Sequence, residues 1–169
     1  IIKLMKLKQI SSWISYHEMN DELHNKYIKS WLLEDGPITK KIKSSEVFKL
    51  NLLIDDIDKV EDSEADFLGE NLGMIKTREV ILMGNDKPKV FARSLIPLIT
   101  IEKGFAKLGE LGTKPLGDIL FEKEIFKRTK IVFAKFRNDK KLFWGRKSKY
   151  IVNNHPLSVM EVFLIDADE

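Results

Sequence analysis

Three charged residues stand where strand periodicity puts apolar side chains, and these are the residues most able to do chemistry. Side chains alternate across a strand, so Leu157, Val159, Glu161, Phe163 and Ile165 share one face. Glu161 is a carboxylate in an otherwise apolar row. An ionised carboxylate in such a row must take up a proton, meet a cation or receive a ligand's polar group. By the same rule Arg93 sits between Phe91 and Leu95, and Arg78 shares a face with Val80 and Leu82, with Lys76 at the end of its row. Each charge alone is compatible with a structural ion pair or an outward-facing position. Three of them on three strands of one sheet predict a lined pocket, in which the arginine forks suit a carboxylate ligand.

Other chemistries find little support. His17-Glu18 opens like a zinc-protease motif, but Asp21 stands where the second His is needed, and no cysteine is present. No metal site is expected. There is no glycine-rich dinucleotide fingerprint, no phosphate loop, and no serine in a nucleophile elbow. Trp13, Trp31 and Trp144 read as packing residues, and Arg146-Lys147-Ser148-Lys149 as a solvated strand face. Lys and Arg total 29 against 26 Asp and Glu, for a net charge of +3, and the basic residues are scattered apart from a denser stretch over 123–149. A nucleic-acid binder would gather them on one face. A mildly basic protein with an anionic small substrate fits better, because local positive potential speeds the substrate's arrival. No apolar run is long enough to cross a bilayer, and the Lys-interrupted start does not resemble a secretory signal. The cytoplasm is the expected compartment, with no membrane and no nucleic acid as partner.

The elements that must position these charges follow from period and punctuation. Apolar residues at Leu23, Tyr27, Ile28, Trp31 and Leu32 predict a helix over 21–33 with Asn20 or Asp21 as its N-cap, stopped by Gly36-Pro37. A short helix or turn follows from Ile38 to Lys41. Phe48, Leu50, Leu52 and Ile54 alternate as a strand, and the acidic segment 55–66 reads as an exposed loop with room for one helical turn. Runs 74–83 and 89–98 form a hairpin around Gly84-Asn85-Asp86-Lys87-Pro88. The glycine-punctuated stretch 99–121 predicts two short helices. Three further strands, 125–136, 143–152 and 157–165, are joined by hairpin turns, so neighbours are antiparallel. The sum is one domain over residues 1–169 of class α+β, with a single antiparallel sheet of about six strands and helices against it.

Several segments, in order, resemble chorismate pyruvate-lyases. Trp31 to Lys41 (WLLEDGPITKK) is similar to the family's helix end and Met-Thr-Lys segment. Arg78 to Leu82 and Ala92 to Pro97 resemble its central hairpin. Leu108-Gly109 with Lys114 to Phe121 resembles its flap helices. Phe143 to Ser148 and Met160 to Leu164 resemble its last two strands. The likeness covers about residues 31–167. It implies a cofactor-free lyase that splits chorismate into 4-hydroxybenzoate and pyruvate in a buried pocket under a helical flap. It also implies that Arg78 binds the ring carboxylate with the backbone N–H of Leu116, and that Glu161 holds the 4-hydroxyl with a backbone group of Ile38. Arg93, or a nearby lysine, is then the candidate for the enolpyruvyl carboxylate and the departing oxygen. Ile38 stands where the family often has Met, and Ala92 where Gly is common beside the flap.

The same fold serves as the effector-binding domain of certain bacterial transcription regulators, which bind small molecules without catalysis. Those proteins carry a winged helix–turn–helix upstream, and the segment before the first strand is too short to hold one. The enzyme is therefore the expected reading, with a non-catalytic aromatic-acid binding module as its alternative.

Overall fold

The computed structural model describes residues 6–58, 60–122 and 124–168. Asn85 and Asp86 both have positive φ (48° and 61°), as do Asn153 and Asn154 (47° and 66°). Two successive left-handed residues make the turn whose twist matches the strands it joins, and Asn and Asp tolerate it better than other side chains. These turns close two hairpins, β3 (Ile75–Gly84) with β4 (Lys87–Pro97) and β6 (Lys141–Val152) with β7 (His155–Phe163). A third, through Asp139 with φ 53°, joins β5 (Phe126–Asn138) to β6. All three hairpins are legible in the sequence. The turns are tighter than predicted, because Gly84 and Pro88 remain within their strands.

β4 also pairs with β7, while β2 (Phe48–Asp58) lies beyond β3 and β1 (Lys8–Gln9) beyond β5. The result is a seven-stranded antiparallel sheet in the order β1-β5-β6-β7-β4-β3-β2. The α+β class and the antiparallel sheet agree with the sequence reading. The additional strand, β1, is two residues long and too short to display a period.

Three other expectations need correction. The helix predicted over 21–33 is two helices, α1 (Tyr16–Glu22) and α2 (Lys26–Leu32). Ser15 and Glu18 form a capping box that starts α1 early, and Asn25 Oδ1 accepts the Ile28 N–H at 3.0 Å to start α2 afresh. Leu23, extended between them, still enters the core, so the apolar spacing hides the break. The short helix after Gly36-Pro37 is α3 (Ile38–Lys43). The acidic segment 55–66 is mostly strand and helix, and the one helical turn allowed for in it is longer than expected. β2 continues to Asp58, because an edge strand needs only backbone pairing and tolerates charge, and α4 (Asp62–Leu68) follows with Asp62 and Glu64 in its favourable first turn. Between β4 and β5 come a π-helical turn (Thr100–Gly104), a 3-10 turn (Ala106–Glu110) and α5 (Leu116–Glu122), three short pieces where two were predicted.

Two apolar clusters cover one face of the sheet. Met19, Ile28, Leu32, Ile38 and Ile42 from the first three helices pack on Val80, Leu82, Val90, Phe133, Trp144 and Phe163. Leu108, Leu111, Leu116 and Leu120 pack on Ile96, Tyr150, Leu157 and Val159. A cavity opens where the two clusters meet, lined by residues of both. The opposite face carries a separate cluster that includes Ile81, Phe91, Phe136 and Val162.

Candidate active site

Strand register sets which side chains can meet. Arg78 lies opposite Ser94, Val80 opposite Ala92, Ala92 opposite Glu161, and Glu161 opposite Arg146. Alternation therefore puts Arg78, Glu161 and Arg146 on the same face, the one covered by helices. They line a cavity of about 540 Å³, mouth included, together with Ile38, Leu116 and Tyr150.

Arg78 is 2% exposed. Its Nη2 donates to the carbonyls of Gly112 (3.2 Å) and Lys114 (2.7 Å), which tie the segment before α5 down over the cavity. Gly112 has φ +55°, a conformation that favours glycine and that the turn carrying its carbonyl requires. The Arg78 Nε is buried and makes no hydrogen bond with a described residue. Burial holds this guanidinium below its ordinary range, and the nearby Asp55 carboxylate opposes the shift. A buried cation with a donor to spare is suited to an anionic ligand. Leu116 opens α5, so its N–H has no acceptor inside that helix and can serve the same ligand.

Glu161 meets a cation. Its Oε1 accepts from Arg146 Nε at 2.8 Å, and Arg146 Nη1 donates to the carbonyls of Leu32 (3.1 Å) and Glu34 (2.7 Å). The Arg146 guanidinium also lies 5.7 Å from the Phe163 ring centroid. Tyr150 joins this end of the cavity. Burial pushes its phenol up, the Glu161 charge adds to the rise, and Arg128 and Arg146 oppose it. The phenol thus stays protonated near neutral pH. Across the mouth, Thr39 Oγ1 donates to Asp118 Oδ1 at 2.6 Å and links α3 to α5. Among the described residues no group of three or more His, Cys, Asp or Glu is placed to hold a metal ion.

Arg93 does not join Arg78 and Glu161. It pairs in register with Met160, one residue off the Ala92–Glu161 pair, and so points to the opposite face. The row it shares with Phe91 and Leu95 is apolar, as predicted, but belongs to a different core. There Nε and Nη2 donate to the two oxygens of Glu64 (2.8 and 3.0 Å), and Nη1 donates to Glu79 at 2.9 Å. The hydrogen bond to Glu64 is the largest cause raising the Arg93 pKa. Arg93→Met is expected to lower stability by about 1–3 kcal/mol, the cost of leaving charged partners unsatisfied. Calorimetry on the same variant should find aromatic-acid affinity within twofold of wild type. A tenfold loss would restore Arg93 to the site.

The family model of chorismate lyase matches residues 7–167, nearly the whole chain. The chain belongs to the chorismate lyase family. Its relatives in that family include the probable chorismate pyruvate-lyase of Psychromonas ingrahamii, 35% identical over 150 residues, spanning 79% of this chain and 80% of that protein. Another is the probable chorismate pyruvate-lyase of Photobacterium profundum, 32% identical over 141 residues, with 81% and 77% of the two chains covered. The reading of the sequence as a lyase therefore stands. Among solved structures, a GntR-family transcriptional regulator from Bacillus cereus superposes with TM-score 0.51 at 11% identity over 69% of this chain and 91% of its own. The possible transcriptional regulator YydK from Bacillus subtilis gives TM-score 0.53 at 11% identity over 97% and 89%. At such identity the likeness concerns the fold alone. No helix among the described residues is long and apolar enough to cross a membrane.

Sequence reasoning missed one buried charge of this lyase-family cavity. Arg146 is 2% exposed rather than on a solvated face. The signal was available. Trp144, Arg146, Ser148 and Tyr150 alternate as one row, and Arg146 and Glu161 stand equally far from the Asn153-Asn154 turn on either side. Its neighbour Lys147 takes the other face, 4.5 Å from the Trp13 ring centroid and 4.2 Å from that of Phe67.

Proposed function

We propose that this chain converts chorismate into 4-hydroxybenzoate and pyruvate by elimination. One observation carries the reading. A single cavity holds the buried guanidinium of Arg78 and, two strands away, the carboxylate of Glu161. Two strand spacings of about 4.8 Å and one two-residue step of about 6.7 Å along the row separate their backbones by roughly 12 Å. A ring with a carboxylate at one end and a hydroxyl at the other fits between two such side chains. In this reading Arg78 and the Leu116 N–H take the ring carboxylate. Glu161, with the backbone at Ile38, takes the 4-hydroxyl. Arg93 has no part in it.

The chemistry asks little of the protein beyond orientation. The C4–H electron pair enters the ring, the C3–O bond breaks, and its electron pair leaves with the enolpyruvyl oxygen. The proton lost from C4 is balanced by one gained at the enolpyruvyl methylene, giving pyruvate. Aromaticity drives the step. Fixing the substrate in one geometry and excluding water can supply on the order of 7 kcal/mol or more. The apolar walls of Val80, Leu82, Ala92 and Val159 hold the ring, and charged groups stand only at its ends.

Pure protein incubated with chorismate should release 4-hydroxybenzoate and pyruvate in equal amounts, read by absorbance and a coupled pyruvate assay. Tight 4-hydroxybenzoate binding without turnover would instead identify a binding module.

The cover over the cavity must open for the product to leave. Its ties are the two carbonyl bonds to Arg78 and the Thr39–Asp118 bond. Bound 4-hydroxybenzoate should therefore slow amide hydrogen exchange across residues 100–122. Asp118→Ala, which removes one tie, should quicken exchange there in the free protein. Equal exchange with and without ligand would show a rigid, permanently open site.

A further inference from the structure

The geometry points to Arg146 as a positioning residue that makes the cavity selective for a ring bearing a 4-hydroxyl. The inference rests on the proposed function and assigns a role within it to a residue that touches no reacting atom. Glu161 and Arg146 face each other directly across β6 and β7, and both are largely buried. The guanidinium cannot turn. Nε is committed to Glu161 Oε1, Nη1 to two carbonyls, and the Phe163 ring lies against it. With Oε1 held, Oε2 is the carboxylate oxygen left to accept a bond from a ligand, and Glu161 cannot rotate away without leaving Arg146 unsatisfied.

The carbonyls of Leu32 and Glu34 extend the effect. They belong to the end of α2 and the turn that leads through Gly36 to Ile38, and both Gly36 and Ile38 line the cavity. One guanidinium thus fixes the carboxylate on the sheet side and the backbone on the helix side of the same ligand group. Arg78 holds the other end of the ligand and, among the described residues, shares no hydrogen-bond partner with Arg146. Selectivity for the hydroxyl and affinity for the carboxylate are therefore separable.

Lysine at position 146 keeps the charge but has no planar fork, and it cannot serve Glu161 and two carbonyls in the same fixed arrangement. The test measures the affinity of wild type and Arg146→Lys for 4-hydroxybenzoate and for benzoate by calorimetry. Both ligands bind the same folded molecules, so their ratio is unaffected by any loss of stability. Wild type should prefer 4-hydroxybenzoate by about 10- to 100-fold, the range for a hydrogen bond to a charged group. Arg146→Lys should reduce that preference to about threefold or less with benzoate affinity unchanged. A preference kept in the variant, or equal losses for both ligands, overturns the role of Arg146 and leaves the proposed function standing. Wild type that binds neither ligand overturns both. Should Arg146→Lys not fold, the wild-type Arg146 Nε–H resonance decides: it should move on adding 4-hydroxybenzoate and stay on adding benzoate, and identical responses overturn the assignment.

Discussion

Glu161→Gln is expected to lower kcat/KM for chorismate by about 10²-fold or more, the scale of a lost acid–base or orienting group, while the fold persists. Arg146 makes the substitution unusually clean. Its Nε–H needs an acceptor, so the glutamine amide will keep its oxygen where Oε1 now sits, 2.8 Å from Nε. The amide NH2 then replaces the other oxygen, and a donor faces the 4-hydroxyl where an acceptor is required. Volume and packing barely change. If Glu161 is only the partner of a structural arginine, the variant should melt lower yet turn over normally per folded molecule. Melting temperature and kcat/KM measured on one preparation separate the two. Near-normal kcat/KM with a lowered melting temperature would move Glu161 from catalysis to scaffolding.

The parts of this protein legible in its sequence are those fixed by local periodicity. The hairpins follow from Asn- and Asp-rich turns between alternating runs, and the same alternation singles out Glu161 and Arg78. Parity alone does not say which face of the sheet is which, and Arg93 shows the consequence. Its apolar neighbours Phe91 and Leu95 lie in cores on the far face. Only the pairing of Ala92, rather than Arg93, with Glu161 reveals this. That pairing joins strands distant in the chain and has no turn to set its register. The helix break at Leu23 escaped because a residue can be buried in the same core whether or not it is helical. Arg146 escaped for a different reason. It stands beside Lys147 and Lys149, and composition outweighed the alternation that places it opposite Glu161.

Arg78→Ala should weaken 4-hydroxybenzoate binding by about 2–5 kcal/mol, the range for removing one partner of a desolvated charge pair. At about 1.4 kcal/mol per tenfold, that is roughly 30-fold to several thousand-fold in Kd. Two effects contribute. The ligand carboxylate loses the cation that burial has already stripped of water, and the segment before α5 loses the donor that holds the Gly112 and Lys114 carbonyls. Arg78→Lys should recover only part of the loss, because a single ammonium has no fork with which to hold two carbonyls and a carboxylate together. Phenol, which lacks the carboxylate, separates the contributions. If Arg78 binds the carboxylate, phenol affinity should fall far less than 4-hydroxybenzoate affinity in Arg78→Ala. Equal losses for the two would mean that Arg78 acts through the cover alone. Unchanged 4-hydroxybenzoate affinity in both variants would remove Arg78 from the site, and with it the anionic end of the proposed ligand.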